Sequence, residues 1–383
     1  MKVGVIGLGQ RIAAVVSALK AAGADVEVSG YADPAPVGLD RLKEEGIPVG
    51  EAYKSAEELL TAGEHDLVMI GSPNHLHAEH LMLALYGAKP VFAEKPVVRT
   101  ENESYALAQR LSSEETPPLF VGLVLRSAPI AREILSIVRE GHLGQIVSID
   151  ATEHLPPEHG AYLARNWRRK REWGGSFLLD KVCHDFDILS EIAGGRPQRI
   201  VSFGGRGIFR PDREPAARAY SDGSTAFETW PGGWEAAADA FASDMDVTDH
   251  QTALIEYVNG VQLAFHANTC SALRERRWYV AGTEGTLIAD IDRNTLMWRR
   301  HLERTAPYRR QFPISDHDHN GGDVAMARDL VAALKDESAF PVTPFQAIEA
   351  GLTVMAIDKA QAMGQVVDCT AIWDTLDTAM KVA

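Results

Sequence analysis

The N-terminal residues of this chain have the pattern of a buried strand, a glycine turn and a helix, and this succession constrains the fold most strongly. Residues 3–7 form a continuous apolar run of the kind that buried parallel strands carry. Gly7 and Gly9 follow, and apolar residues then recur at helical spacing as far as Gly23. Strand, turn and helix in this order predict a βαβ unit in a parallel α/β sheet.

The residues of the turn are suited to holding a dinucleotide. Gly7 permits a tight turn, and Gly9 lets a pyrophosphate approach the backbone. The helix beginning at Gln10, Arg11 and Ile12 offers backbone amide donors to that pyrophosphate. Ile12 stands where the fingerprint usually has a third glycine, so the motif is incomplete. The whole context still predicts a nucleotide cofactor.

Asp33 ends a second predicted strand, residues 26–32, and lies 26 positions after Gly7. A carboxylate at this place accepts hydrogen bonds from the adenine ribose and repels a 2′-phosphate. It therefore favours NAD, with NADP as the alternative. A second interpretation is that Asp33 and Pro34 only form a turn.

Strands and helices continue to alternate after Asp33. Apolar runs at residues 66–71, 90–93 and 119–123 predict further strands, and a doubly wound parallel sheet. Polar residues with binding potential follow two of these strands: Ser72, Asn74, His77, Glu94 and Lys95. Because ligands bind at the carboxyl ends of such strands, we expect these side chains to share one crevice with the glycine turn.

Residues 174–187 contain the clearest catalytic candidates. Asp180 and His184 are four positions apart and Asp187 follows by three, so a helix places all three on one face. A carboxylate beside an imidazole is a suitable acid/base pair near neutral pH. The alternative is a helix N-terminus with a buried, structural histidine.

Four motifs occur in a fixed order: Gly7-x-Gly9, Ser72-Pro73-Asn74-x-x-His77, Glu94-Lys95-Pro96 and Asp180-x-x-x-His184. In order and spacing the chain resembles the glucose–fructose oxidoreductase / inositol dehydrogenase / rhizopine catabolism (Gfo/Idh/MocA) family over nearly its whole length. The resemblance implies an NAD(P)-dependent dehydrogenase or reductase of a sugar, polyol or derivative, with Lys95, Asp180 and His184 as catalytic residues. It also implies substrate contacts from Lys95, Asp180, His184 and five further residues: Arg126, Trp167, Arg168, Lys181 and His319.

Two other functions are compatible with the same resemblance. One is an NAD-dependent eliminase or glycosidase, in which oxidation of the substrate is transient. The other is a cofactor-binding sensor without catalysis, against which the presence of Lys95, Asp180 and His184 argues.

The second half of the chain has strands in succession rather than in alternation with helices. Residues 252–258 and 261–267, joined by Asn259 and Gly260, predict a hairpin. We therefore expect a Rossmann domain over residues 1–125 and an α+β domain over residues 126–383, whose sheet is large and mainly antiparallel. The C-terminal helices are expected to pack back on the first domain. The resemblance implies a homodimer or homotetramer formed through this sheet.

Residues 207–247 interrupt the predicted sheet with proline, glycine and acidic residues. We call this segment the insertion, and we expect an alanine-rich helix near residues 234–242 within it. The insertion has no cysteine, which disfavours a metal or disulfide role. A flap over the substrate or an oligomer contact is expected instead.

Composition excludes several other classes of function. The net charge of −15 disfavours nucleic acid and anionic membranes as partners. Three widely spaced cysteines form neither a disulfide framework nor a zinc pattern, which fits a reducing cytoplasm. The sequence shows no signal peptide and no apolar run long enough to span a membrane.

A second polar cluster, residues 317–323, contains His317, Asp318, His319 and Asp323. Such residues are zinc ligands in other proteins, but the preferred interpretation is a glycine break before a helix with Asp323 near its N-cap. We therefore expect no metal. His250 is interpreted as structural rather than catalytic.

Overall fold

The computed structural model describes residues 1–228, 233–314 and 319–381, which form two compact units. The first unit comprises Met1–Pro129, Ser315–Leu352 and Ile372–Ala383, and the second comprises Ile130–Ile314 and Thr353–Ala371. Each unit contains one sheet, and each is described here by itself.

The strands and helices follow one another along the chain with short connections outside the insertion. The strands are β1 Lys2–Ile6, β2 Glu27–Ala32, β3 Val49–Tyr53, β4 Leu67–Ile70, β5 Val91–Ala93, β6 Leu119–Val121, β7 Ile146–His154, β8 Pro197–Gly205, β9 His250–Tyr257, β10 Gln262–Asn268, β11 Arg277–Gly282, β12 Gly285–Asp290, β13 Thr295–Arg300, β14 Tyr308–Gln311 and β15 Val367–Asp368. The α-helices are α1 Gln10–Ala21, α2 Leu39–Glu44, α3 Ala56–Ala62, α4 Asn74–Leu85, α5 Glu101–Leu111, α6 Pro129–Arg139, α7 Pro157–Arg165, α8 Arg171–Gly174, α9 Phe177–Ala193, α10 Gly322–Leu334, α11 Pro344–Met363 and α12 Thr370–Met380.

The sheet of the first unit has six parallel strands in the order β3-β2-β1-β4-β5-β6. This order reverses direction between β1 and β4, which is the switch point at which doubly wound sheets bind ligands. Strands β4, β5 and β6 are buried along their whole length, as expected for strands covered on both faces. Helix α10 adds Met326, Ala327 and Leu330 to the same apolar core.

The sheet of the second unit has nine strands in the order β14-β13-β12-β11-β7-β10-β9-β8-β15. Only β7 and β10 pair in parallel, and all other neighbours among the described strands are antiparallel. The predicted hairpin is β9 and β10, and its turn contains Gly260 with a φ of 84°. The predicted combination of a Rossmann sheet and a mainly antiparallel sheet is therefore confirmed.

Helix α9 carries the catalytic candidates of the second unit. The hydroxyl of Ser176 caps its first turn by accepting a hydrogen bond of 3.0 Å from the Leu179 amide. Gly194 ends the helix in the left-handed conformation with a φ of 71°. Because most of its side chains are buried, the helix is a rigid support rather than a surface element.

The insertion differs from the sequence prediction. Residues 234–242 form turns and bends, so the alanine-rich helix expected there is wrong. The carboxylate of Asp239 accepts hydrogen bonds from the amides of Phe241 (2.7 Å) and Ala242 (3.1 Å). Such local side-chain bonds compete with helical ones, which explains the outcome.

None of the described helices is both long and apolar enough to pass through a membrane.

Candidate active site

The two glycines of the N-terminal turn have different structural causes. Gly7 has a φ of 82°, and a Cβ at this position would overlap the backbone nitrogen of Ser72. Gly9 is the N-cap of α1 with an ordinary φ of −78°. A Cβ on Gly9 would have none of the described atoms within 4 Å. The fold therefore explains the glycine at position 7 but not the one at position 9.

The missing third glycine of the fingerprint is compensated on a neighbouring strand. Ile12 is buried on α1, and its Cβ lies 2.6 Å from where a Cβ on Gly71 would be. Gly71, directly after β4, thus provides the space for close helix–strand packing that a glycine on the helix usually provides.

Asp33 forms the turn that was the second interpretation of this residue, and its contact with a ribose stays a prediction. Its carboxylate accepts a hydrogen bond of 2.7 Å from the Ala35 amide and so forms the turn after β2. Burial raises the pKa of Asp33, and hydrogen bonds from the backbone amides of Ala35 and Leu8 offset this only in part. Gln10 donates to the Val37 carbonyl at 2.7 Å and holds the next part of the same loop.

His77 links two of the strand ends. Its ring nitrogens lie 2.8 Å from the carbonyls of Ser72 and Pro96, and its side chain is buried. Burial lowers the pKa of His77 despite these contacts, which favours the neutral ring. The Ser72 hydroxyl contacts His80 at 2.9 Å, and Asn74 is buried in the first turn of α4.

Arg11 joins the end of β5 to the first turn of α10. Its Nε donates to Glu94 at 2.9 Å and its Nη1 to Asp323 at 2.7 Å. Asp323 also contacts the ring of His319 at 2.9 Å. Burial alone would raise the pKa of Asp323, but the charges of Arg11 and His319 hold it at about 2. The remaining guanidinium nitrogen, Nη2, is buried and has no hydrogen-bond partner within the described ranges.

Lys95 follows Glu94 at the carboxyl end of β5, and its side chain is half-buried. The second carboxylate oxygen of Glu94 accepts the Lys95 amide at 3.2 Å, and the Lys95–Pro96 peptide bond is cis. Arg126 is buried in the 3₁₀ turn Val124–Ser127, which belongs to the first unit.

Asp180 and His184 lie one turn apart on α9, and both are buried. Arg168 donates from Nε to both carboxylate oxygens of Asp180 at 3.0 Å. Its guanidinium also stacks on Trp167, with 4.1 Å between the guanidinium carbon and the ring centroid. Lys181, the next residue of α9, is half-buried. The second unit thus brings five of the predicted residues close together along the chain and on α9: Trp167, Arg168, Asp180, Lys181 and His184.

A buried charge cluster on the same helix escaped the sequence analysis. Asp185 accepts hydrogen bonds from Arg276 at 2.9 and 2.5 Å and from the Trp278 ring nitrogen at 3.3 Å. Glu153 lies 3.0 Å from Arg276, and burial raises the pKa of Glu153 to about 7. Asp185 follows the predicted His184 directly, but no sequence pattern connects it with residues on β7 and β11.

The histidines considered for other roles have identified neighbours. His250 contacts the buried carboxylate of Asp249 at 2.8 Å, next to the insertion. Of the second polar cluster, His317 and Asp318 lie outside the described residues. Within the described ranges, no group of three or more His, Cys, Asp or Glu side chains is arranged to hold a metal ion.

Two family models match the chain. The "Oxidoreductase family, NAD-binding Rossmann fold" matches residues 1–122, and the "GFO/IDH/MocA C-terminal domain" matches residues 131–288. Together they cover most of both described units.

Among curated proteins, the chain is 29% identical to 1,5-anhydro-D-fructose reductase of Ensifer adhaerens over 191 residues, which are 49% of the chain and 55% of the relative. It is 25% identical to levoglucosan dehydrogenase of Pseudarthrobacter phenanthrenivorans over 230 residues, which are 59% of the chain and 56% of the relative. The match to inositol 2-dehydrogenase of Corynebacterium glutamicum is 22% identical over 51% of the chain and 55% of the relative. The chain thus spans about half the length of these relatives, and 37% of the Bacillus subtilis oxidoreductase YteT.

Solved structures share the fold. A levoglucosan dehydrogenase in complex with NADH and levoglucosan has a TM-score of 0.77 at 20% identity, covering 97% of this chain and 99% of that one. The apo scyllo-inositol dehydrogenase of Lactobacillus casei has a TM-score of 0.72 at 17% identity, covering 96% and 98%. The chain therefore belongs to the Gfo/Idh/MocA oxidoreductase family, with an NAD-binding Rossmann fold in its N-terminal part.

Proposed function

We propose that this protein is an NAD-dependent dehydrogenase or reductase acting on a carbinol group of a sugar, polyol or sugar derivative. The observation that carries the proposal is the pair of Asp180 and His184, buried one turn apart on α9, with Asp180 held by Arg168. A carboxylate and an imidazole in this arrangement transfer a proton at neutral pH. The names of relatives, which include inositol and levoglucosan dehydrogenases, support a hydroxyl-rich ring as substrate.

Two observations in the first unit fit a bound dinucleotide. Gly9 lies at the N-terminus of a twelve-residue helix. Neither its backbone conformation nor its packing against the described residues requires a glycine there. Arg11 has a buried nitrogen available to an anion. The proposed cofactor contacts are Gly7, Gly9, Gln10, Arg11, Ile12, Asp33, Ser72, Asn74, His77, Glu94 and Lys95. Within this set, we propose that His77 positions the strand ends, and that Asp33 selects NAD over NADP.

NAD, when bound, supplies the hydride acceptor in oxidation and its reduced form the donor in reduction. His184 accepts the proton of the reacting hydroxyl in oxidation and returns it in reduction. Lys95 is proposed to polarise the reacting oxygen by donating a hydrogen bond to it. Asp180 accepts a hydrogen bond from a neighbouring hydroxyl. Further substrate contacts are proposed for Arg126, Trp167, Arg168, Lys181 and His319.

The test measures the absorbance of the reduced cofactor in both directions. Oxidation is assayed with levoglucosan or an inositol, each with NAD⁺ or NADP⁺, and reduction is assayed with 1,5-anhydro-D-fructose and NADH. His184→Ala and Lys95→Ala should each lower kcat by about 10²- to 10⁴-fold, because each removes a group acting on the reacting proton or oxygen. NAD⁺ affinity of His184→Ala, measured by calorimetry, should stay unchanged. His142→Ala, at a surface histidine paired with Glu140, is the matched control and should keep full turnover.

A second arm tests the cofactor site without any substrate. Gly9→Ala should leave the melting temperature unchanged while weakening NAD⁺ binding about tenfold or more, because the added methyl meets the ligand rather than the protein. Unchanged NAD⁺ affinity in this variant would contradict the proposed pyrophosphate contact.

The outcomes also separate the alternative functions. If His184→Ala still turned over a sugar at the wild-type rate, His184 would not be part of the mechanism. Cleavage of a glycoside with NAD kept on the protein and no net NADH would indicate the eliminase or glycosidase. NAD⁺ binding without turnover or cleavage across the panel would indicate the sensor.

The homodimer or homotetramer is also part of the proposal. Leu254 and Phe203 are 61% and 70% exposed on β9 and β8, and strand register places them on one face with Tyr279. Such an apolar face is suited to packing against a second copy. Light scattering gives the mass, and a monomer at micromolar concentration would contradict this part.

A further inference from the structure

The insertion is closed at both ends by charged side chains. The buried carboxylate of Asp249 accepts hydrogen bonds from the amides of Gly207, Ile208 and Phe209 at 2.8 to 3.0 Å. Arg206 donates to the carbonyls of Ser243 and Met245 at 2.9 and 3.0 Å. These bonds fix the two ends of the segment on the body of the second unit.

The insertion also has an apolar core of its own, and that core rests on α7. Phe209, Phe227 and Phe241 pack together with ring centroids 5.0 to 6.5 Å apart. Ala161 and Ala164 of α7 belong to the same buried cluster. The small side chains of α7 therefore seat the aromatic side chains of the insertion.

Polar contacts extend from this core to the turn after α7, Trp167–Arg169. Arg169 donates from Nε to Asp244 at 2.6 Å and from Nη1 to the carbonyl of Glu235. Its own carbonyl accepts the Asp246 amide at 3.1 Å, and the Asp246 carboxylate accepts the Arg171 amide at 2.7 Å. The insertion thus holds the backbone of the turn and of the residues that follow it.

The neighbouring side chain, Arg168, contacts Asp180 instead. Besides its bonds to Asp180, it donates from Nη1 to the Tyr162 hydroxyl and to the Asn166 side chain, each at 3.0 Å. Two consecutive arginines therefore connect different parts of the second unit: Arg169 binds the insertion, and Arg168 binds the proposed site.

We propose that the insertion is a positioning element for the proposed sugar site, and that Arg169 and Asp244 transmit its effect to the Arg168–Asp180 pair. The inference rests on the proposed function where it concerns sugar recognition. Hydrogen bonds weaken steeply with distance and angle, and a misplacement of about 1 Å costs about 100-fold in rate. A turn displaced by loss of the Asp244 contact would therefore disturb how Asp180 receives a substrate hydroxyl.

The test compares Asp244→Ala with Asp212→Ala. Both aspartates belong to the insertion and are equally exposed, at 57% and 58%, but Asp212 pairs with Arg210 and Arg213 rather than with the turn. Hydrogen exchange is measured on the full chain for residues 166–171 and 177–184. Asp244→Ala should speed exchange of both segments about tenfold, whereas Asp212→Ala should leave both unchanged. Asp244→Asn keeps a hydrogen-bond acceptor and should therefore speed exchange less than Asp244→Ala does.

A double-mutant cycle shows whether the effect passes through Arg168. On an Arg168→Ala background, Asp244→Ala should change exchange of residues 177–184 less than twofold. If a sugar is turned over, Asp244→Ala should lower kcat/KM for that sugar about tenfold and leave KM for NAD⁺ unchanged. On the Arg168→Ala background, the same change should lower kcat/KM less than twofold.

The exchange measurement needs no substrate, so a failure of the proposed function is distinguishable from a failure of this inference. Exchange of residues 177–184 that is unchanged in Asp244→Ala would overturn the inference, even if residues 166–171 exchange faster. An effect of equal size with and without Arg168 would overturn it as well.

Discussion

Each unit contains one arginine placed between two buried carboxylates, yet the two clusters differ in protonation. In the first unit, Arg11 contacts Glu94 and Asp323, and Asp323 has a pKa of about 2. In the second unit, Arg276 contacts Asp185 and Glu153, and burial raises the pKa of Glu153 to about 7. The same three kinds of charge thus lower the pKa of an acid in one place and raise the pKa of an acid in the other.

The distribution of hydrogen bonds explains this difference. Arg11 gives one hydrogen bond to each carboxylate, and Asp323 has His319 as a further partner. Arg276 gives two to Asp185, while the Glu153 oxygen 3.0 Å away has no hydrogen-bond partner within the described ranges. Because burial penalises a charge that lacks hydrogen bonds, composition alone does not fix the protonation state.

The largest predicted effect is that of Arg276→Met. The change leaves two buried carboxylates without their counterion and should lower the free energy of unfolding by about 3–5 kcal/mol. Arg11→Met should cost less, because the Arg11 side chain is 29% exposed and water screens the carboxylates left behind. Urea unfolding measures both.

The matched control is Arg277→Met, since Arg277 is adjacent in sequence but 34% exposed and pairs with Asp150. It should cost about 1 kcal/mol or less. If Arg276→Met and Arg277→Met lowered the free energy of unfolding equally, Arg276 would not be needed to neutralise the buried carboxylates.

Glu153→Gln should have the next largest effect, and it depends on pH. The native pKa of about 7 lies above the ordinary value of 4.5, so the folded protein binds the proton more tightly and loses stability as pH rises from about 4.5 to 7. The amide of Gln does not ionise, so the variant does not lose stability in this range. Its free energy of unfolding should exceed that of the wild type by about 2–3 kcal/mol at pH 8 and by less than about 1 kcal/mol at pH 5. Unfolding at the two pH values tests this, and Glu256→Gln, at a surface pair with Arg199, should show no such dependence.

Asp323→Asn should have a smaller effect of opposite pH dependence. Here the native pKa of about 2 lies below the ordinary 3.8, so the stabilisation is present above about pH 4 and is lost as pH falls through 2. The variant should be less stable than the wild type by about 1–2 kcal/mol at pH 7, and the gap should shrink towards pH 2. A gap independent of pH would mean that the carboxylate charge is not what Arg11 and His319 stabilise.

Elements with strong local patterns were predictable from the sequence. The strand–glycine–helix succession, the hairpin of β9 and β10 and the helix carrying Asp180 and His184 all follow from side-chain periodicity and turn residues within about 20 positions. Strand β3 was not predicted, because it is largely exposed and its sequence, Val-Gly-Glu-Ala-Tyr, is not an apolar run.

The insertion was the least predictable region. Its alanines favour a helix locally, but Asp239 bonds to the amides of the next residues, and the phenylalanines pack on α7. No pattern within the insertion shows that Asp249 holds its first residues or that Arg169 binds Asp244.

The strand–glycine–helix start, the hairpin of β9 and β10, the family and the residues one turn apart on α9 could be predicted from the sequence, since these depend on local spacing. Which charges meet depends on the folded structure. Arg11 and Asp323 are 312 positions apart, and Arg276 and Asp185 are 91 apart. Their protonation depends on burial and on how many hydrogen bonds each oxygen accepts, which are properties of packing between distant segments.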